Sequence, residues 1–285
     1  MSIDLNGIIA WLTENWIWPA AIIGAIVLFF IIVSLLPDAK IRTSAEFPTT
    51  GDEARDLAIG AIQITTAMGA WNDPTAKHLT ESKTLRRNLS SMWGLDSRSE
   101  WAETLAELPE RRREPLRDGL LELRARLAAQ TGKRPSKREW VQAAKAEGAT
   151  GRQVTTVIDN IVGIEAGLRK KALGTQVLPD SATIASADAY ALGQVAALAT
   201  WGVALGFATR EEIRPILADV SARAKAQFGS WEEFGRSYLL GRALRNVENG
   251  LPLEKAVEAN QDGITAYGQA FDVKRDGGPW SSLAW

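Results

Sequence analysis

Cysteine is absent from the 285 residues, and histidine occurs once, at His78. The first absence excludes disulfides, thiolate zinc sites and a cysteine nucleophile together. The second excludes a poly-histidine metal site and takes away the commonest general base of hydrolase chemistry. His78, after Asp73 and Lys77, reads as a solvent-facing side chain. Lys and Arg are missing from Met1 to Pro19, so the start of the chain lacks the basic region of a cleaved signal peptide. No alternating Val, Ile or Thr run bounded by hairpin turns is found, which argues against an extensive sheet. A G-x-x-x-x-G-K-[ST] phosphate loop, a dinucleotide-binding glycine run and an acidic calcium loop are also missing. No cofactor and no metal are expected.

What is present is ordinary in bulk: 46% apolar residues, 24% charged residues and a net charge of -1. Such values fit neither wholesale disorder nor a polytopic membrane protein. One segment departs from them. Between Glu14 and Asp38 lie 23 residues without a charge, and about 20 suffice to span the ~30 Å hydrocarbon layer as a helix. Trp11, Trp16 and Trp18 gather at its first border, where amphipathic rings sit at headgroup depth. Residues 1–38 therefore read as a transmembrane anchor with Trp16, Trp18, Ile22, Phe29, Phe30 and Leu36 in contact with lipid. Lys40 and Arg42 follow the apolar run while Asp4 and Glu14 precede it, which places the N-terminus outside and the remainder on the cytoplasmic side of a single-pass protein.

Residues 39–50, with Pro37 just before them and Pro48 within, have no apolar period and read as a short tether. Residues 51–285 read as one soluble domain. Five Ser/Thr-x-x-Glu pairs, at Thr50, Ser97, Ser136, Thr209 and Ser230, offer a side-chain oxygen to a first-turn N–H and a carboxylate that reaches back. The spacing predicts helices near 51–69, 76–93, 98–107, 110–130, 137–147, 151–171, 183–206, 210–227, 231–249, 253–260 and 263–270. The fold class expected is all-α: one N-terminal transmembrane helix followed by a compact multi-helix soluble domain.

Arg111 to Arg138 holds ten Lys and Arg against three acidic residues, a local +7. Arg111, Arg112, Arg113 and Arg134 are candidates for contact with anionic lipid or a partner. Leu116, Leu120, Leu123 and Leu127 recur at helical spacing, so the blander expectation is a solvated face. Aromatics for base stacking are missing there, and nucleic acid is not expected. Trp280 and Trp285 stand in a closing segment that either docks on a partner or packs on its own domain.

From Ser186 onward, Ala187, Ala191, Ala197 and Gly202 mark a helix that neighbours approach closely, as suits a central one. Farther on, Trp231, Phe234, Tyr238 and Arg242 share a helix face. The box SWEEFGRSYLLGR at Ser230 to Arg242, with MWGLDSRSEW at Met92 to Trp101 and GGPWSSLAW at Gly277 to Trp285, resembles the bacterial family catalogued as domain of unknown function 1266, over residues of about 85–285. The resemblance implies a helical fold and a bacterial cell (inner) membrane for the anchor, with no established activity. The chain departs from the family where a Trp-Asp pair with a nearby arginine is usual, having Ala187, Asp188 and Gln194.

Three functional expectations follow. The first is a non-enzymatic, membrane-anchored accessory, assembly or scaffold protein that binds a partner protein, as a subunit of a larger membrane complex. The second is a membrane-tethered enzyme acting on an anionic or phosphoester substrate, with Asp188, Glu233, Arg236, Tyr238 and Arg242 as its site: arginines would bind the anion and a carboxylate would act as base. For these the simpler account is a helix cap at Glu233, a core position at Tyr238 and an ion pair at Arg242. The third is an immunity or defence protein.

Overall fold

The computed structural model describes residues 40–80, 83–170, 176–272 and 278–285. The expected membrane anchor lies outside the described residues. Among the described residues no helix is long and apolar enough to cross a membrane, and none of them forms a strand.

The helices described are α1 (Gly51–Ala58), α2 (Ala61–Thr66), α3 (Lys77–Thr80), α4 (Lys83–Trp93), α5 (Arg98–Arg111), α6 (Pro115–Thr131), α7 (Lys137–Ala146), α8 (Arg152–Arg169), α9 (Ala189–Leu205), α10 (Arg210–Gln227), α11 (Trp231–Glu248), α12 (Leu253–Glu258), α13 (Gln261–Phe271) and α14 (Pro279–Ser282). Four of the five expected caps form. Ser97, Ser136, Thr209 and Ser230 each accept the backbone N–H three residues on, and Ser136 and Thr209 complete the reciprocal bond from Glu139 and Glu212. Thr50 makes no such bond. Its partner Glu53 is drawn instead to Arg210, which donates to it from α10 at 3.0 and 2.5 Å.

The centre of the fold is α9. Fourteen of its 17 residues are buried, so it has no solvent face and needs no polar stripe. It packs against α2, α3, α5, α10 and α11. Close approach is achieved with small side chains. At Gly202 a Cβ would run into the indole of Trp101, whose N–H donates to the Leu198 carbonyl at 2.8 Å. A second layer of α6, α7, α8 and α12 lies beside α11. There Arg124 and Glu165, each 3% exposed, pair at 2.7 Å, and Arg169 joins them at 3.2 Å.

The segment expected as helix from 183 is extended up to Ser186, and α9 begins only at Ala189. The buried pair explains this. Ile184 gives its N–H to Glu165 and its carbonyl to Arg124, at 3.1 and 2.7 Å, so neither group is left for a helix. The expected tether is fastened from Ile41 onward. Asn72, fully buried, accepts from the Ser44 N–H and donates to the Ser44 and Phe47 carbonyls, and the Trp71 indole donates to Thr43. The compact unit accordingly begins at Ile41. His78, expected in solvent, is half-buried against Gly69.

Candidate functional site

Arg117 ties three elements into a polar seam. It is buried at the start of α6 and donates to Asp118 at 2.8 Å, to Glu248 of α11 at 2.8 Å and to the Arg112 carbonyl at 2.7 Å. The α5–α6 turn is thereby held against the end of α11. Arg112, in that turn, donates Nε to Gln194 of α9 at 3.0 Å and sits 5.7 Å from the centre of the Tyr190 ring. Arg112 has no carboxylate partner among the described residues; burial lowers its pKa, with Tyr190 opposing and Arg245 adding to the effect. Tyr190 is raised by burial against the pull of Arg112, Arg242 and Arg245. Asp188, half-buried just ahead of α9, is raised first by burial and then by Asp118, with the Ser186 hydroxyl, Arg113 and Arg117 opposing.

This seam takes in only part of the residue set named from the sequence. Asp188 faces the α6 end of it. Tyr238, 1% exposed, meets Tyr190 edge-on at 5.2 Å and donates its hydroxyl to Gln63 at 2.6 Å. Arg242 lies near both tyrosines but gives two parallel bonds to Asp262, at 2.5 and 2.9 Å. The other two are turned elsewhere. Arg236 donates to the Val177 carbonyl at 2.9 Å, and Glu233 accepts from the Gly229 N–H at 2.7 Å at the cap of α11. Arg112, Tyr190, Gln194 and Asp118 were not named as enzyme residues, and no spacing marks them as a group. The one available signal was Gln194, a polar residue within an otherwise small and apolar helix.

The first part of the basic stretch is paired within the fold, while Lys133, Arg134 and Arg138 at its end are exposed without an ion pair among the described residues. Arg111 pairs with Glu107, Arg113 lies 3.6 Å from Glu110, Arg126 pairs with Glu147 at 2.8 Å, and Arg117 and Arg124 are buried with acidic partners. Of the lipid or partner candidates, only Arg134 is exposed without an ion pair among the described residues. Of the two expectations for the closing tryptophans, the contacts described are those of packing on the domain. Trp280 is 3% exposed and donates to the Ala58 carbonyl at 2.9 Å, while Trp285 is half-buried and donates to the Phe228 carbonyl at 2.7 Å. Both rings meet the Trp231–Phe234 face of α11, where their apolar area is removed from water.

A mostly apolar cleft of about 410 Å³ lies between α5 and α10, with Val195 of α9 in its lining. Pro109 and Pro215, each inside one of the flanking helices, line it. Ala102 and Ala106 are exposed on one wall, and Asp219 and Arg223, paired at 2.9 Å, stand on the other. Its size lies within the ~300–1,000 Å³ usual for ligand pockets. Among the described residues no group of three His, Asp or Glu could hold a metal ion.

These features define a helical domain built around one largely buried helix, with a polar seam at one end of that helix. The chain belongs to the family described as "Protein of unknown function (DUF1266)", whose match covers residues 88–285. No curated protein and no solved structure matches it.

Proposed function

We propose that the protein is a membrane-anchored, non-enzymatic binding module, an accessory or scaffold component that holds a partner protein through its helical domain. The anchor rests on the uncharged run from Trp16 to Pro37, and the inward orientation on Lys40 and Arg42 after that run. The observation that carries the binding role is the cleft between α5 and α10, with the exposed Ala102 and Ala106 on one wall. Four of the five groups considered for catalysis support the same reading, since each serves a structural partner: Glu233 a cap, Arg236 a carbonyl, Tyr238 the Gln63 amide and Arg242 a carboxylate.

The test is co-purification of the intact chain from membranes, identified by mass spectrometry. It is compared with Ala102→Arg/Ala106→Arg and with a chain lacking residues 1–40. A stoichiometric partner lost with the double variant supports the role of the cleft, and one lost on removing residues 1–40 supports assembly at the membrane. Recovery of the chain alone under every mild detergent overturns the proposal.

A second reading, an enzyme on an anionic or phosphoester substrate, is favoured by Asp188. It is a half-buried carboxyl whose pKa is raised by burial and by Asp118, with Arg113 and Arg117 near enough to oppose that shift and to attract an anion. Hydrolysis of a phosphoester that is abolished by Asp188→Asn, with the fold intact, would establish it.

A further inference from the structure

The arginines of α5 and α6 are neutralised within the fold, but three cations on α4 are not. Lys83, Arg86 and Arg87 are exposed, fall at helical spacing along α4, and form no ion pair among the described residues. They line a groove of about 740 Å³ whose other wall is Leu205 and Phe207, at the end of α9. Two helix ends shape that wall. Gly94 and Gly206 take positive φ, +62° and +79°, and the next residues, Leu95 and Phe207, donate back to Ser90 and Gly202 at 3.0 and 2.8 Å. Both side chains are thereby turned to line the groove.

The groove has both charged and apolar lining. The cations stand on the first half of α4, Leu205 and Phe207 come from the end of α9, and Asp96, just past α4, adds one negative charge to the lining. From Lys83 to Gly94 the helix spans about 16 Å. We infer that this groove binds a phosphate-bearing amphiphile, with the oxyanion against Lys83, Arg86 and Arg87 and the apolar body on Leu205 and Phe207. Guanidinium groups suit a phosphate through paired N–H donors. The Ser91 hydroxyl, exposed in the same groove, can add a further donor. The ligand is either a soluble phosphate ester or the head group of an anionic phospholipid, which share this chemistry.

The absence of cysteine makes the test clean. Met92 is 79% exposed on α4, and Met92→Cys in the full chain gives one attachment point for a polarity-sensitive fluorophore beside the groove. In non-ionic detergent the labelled chain is titrated with hexyl phosphate and with inorganic phosphate. In phosphatidylcholine nanodiscs it is compared with and without phosphatidylglycerol. Each titration is repeated on Arg86→Glu/Arg87→Glu and on Arg138→Glu/Lys145→Glu, which changes charge equally at exposed positions outside the groove.

The expected result is a saturable response weakened roughly tenfold or more by the groove variant and little by the remote one. Seen with hexyl phosphate, it supports a soluble ester; seen only with phosphatidylglycerol, it supports a lipid head group. Equal responses to hexyl phosphate and inorganic phosphate overturn the inference, because the apolar wall then contributes nothing. No response in either arm, or equal loss in both variants, overturns it as well. Only the lipid arm rests on the proposed anchor. A chain that nanodiscs fail to retain counts against the anchor and leaves the hexyl phosphate arm to decide the groove.

Discussion

The indoles of Trp231 and Trp280 are stacked, their centroids 5.3 Å apart and their planes 10° from parallel, although 48 residues lie between them in sequence. Trp231 donates to the Leu283 carbonyl and Trp280 to the Ala58 carbonyl, both at 2.9 Å. The closing segment is thereby stitched to α11 on one side and to α1 on the other. Trp280→Ala should destabilise the domain by about 3–5 kcal/mol, the range for deleting a buried aromatic ring. Urea unfolding followed by circular dichroism measures this. A change below about 1 kcal/mol would mean that the segment is not part of the core.

The Arg124–Glu165–Arg169 group predicts a second large effect. Glu165→Leu removes the carboxylate that two arginines and the Ile184 N–H share. An uncompensated buried charge costs about 3–5 kcal/mol. Arg169→Leu, which leaves Glu165 paired with Arg124, should cost distinctly less. Equal losses in the two variants would show that the pairs do not share one carboxylate.

Two carboxyls should respond to pH in opposite directions. Asp188 has a folded pKa raised above its unfolded value by burial and by Asp118. Its contribution to stability is therefore fully present below about pH 4 and is lost as pH rises through the folded pKa. Asp188→Asn should raise Tm at pH 7, and the gain should vanish toward pH 4. At Asp262 burial pushes the pKa up, but the bonds from Arg242 prevail and hold it low. That contribution is present above about pH 4 and is lost as pH falls through the folded pKa. Asp262→Asn should therefore lower Tm at pH 7 and approach the native chain only in acid. Thermal melts across this pH range check both signs.

At Gly202 an added methyl group meets the Trp101 indole, which is fixed by its bond to Leu198. Gly202→Ala should cost about 1–3 kcal/mol through overpacking. Gly119, whose Cβ position faces open space in mid-α6, should gain from the same change, by up to about 1 kcal/mol. Parallel denaturation curves of the two variants would separate packing from helix propensity.

The sequence disclosed what is local. Caps at Ser97, Ser136, Thr209 and Ser230 were readable because both partners lie within four residues, and α9 announced itself by its small side chains. What depended on distant partners was not readable. Part of the +7 stretch is taken into the fold because Arg117 finds Glu248, 131 positions on, and Arg124 finds Glu165, 41 positions on, while Lys133, Arg134 and Arg138 stay exposed at its end. α9 starts later than its apolar pattern suggests because Glu165 and Arg124 take the backbone groups of Ile184. The helix expected over 51–69 breaks after Ala58, where Gly60 lies against Ala196 and Ala197 of α9, a contact no local pattern encodes. The polar seam was half legible: Asp188 and Arg112 drew attention singly, while Tyr190 and Gln194 acquire meaning only once α9 stands beside the α5–α6 turn.

The bond from Trp280 to the Ala58 carbonyl joins positions 222 residues apart, an unusual span for an all-helical domain. Helices form in about a microsecond and local pairs follow quickly, but a contact this distant waits for nearly the whole chain. During synthesis at roughly 5–20 residues per second, α1 leaves the ribosome many seconds before the ring that covers it exists. Until α10 and then α14 are made, its buried face, with Ala54, Leu57 and Ala58, is open to water or to a chaperone. A helix at the start of the described domain thus waits for α14, near the other end of the chain, before its cover over the Ala58 carbonyl is complete.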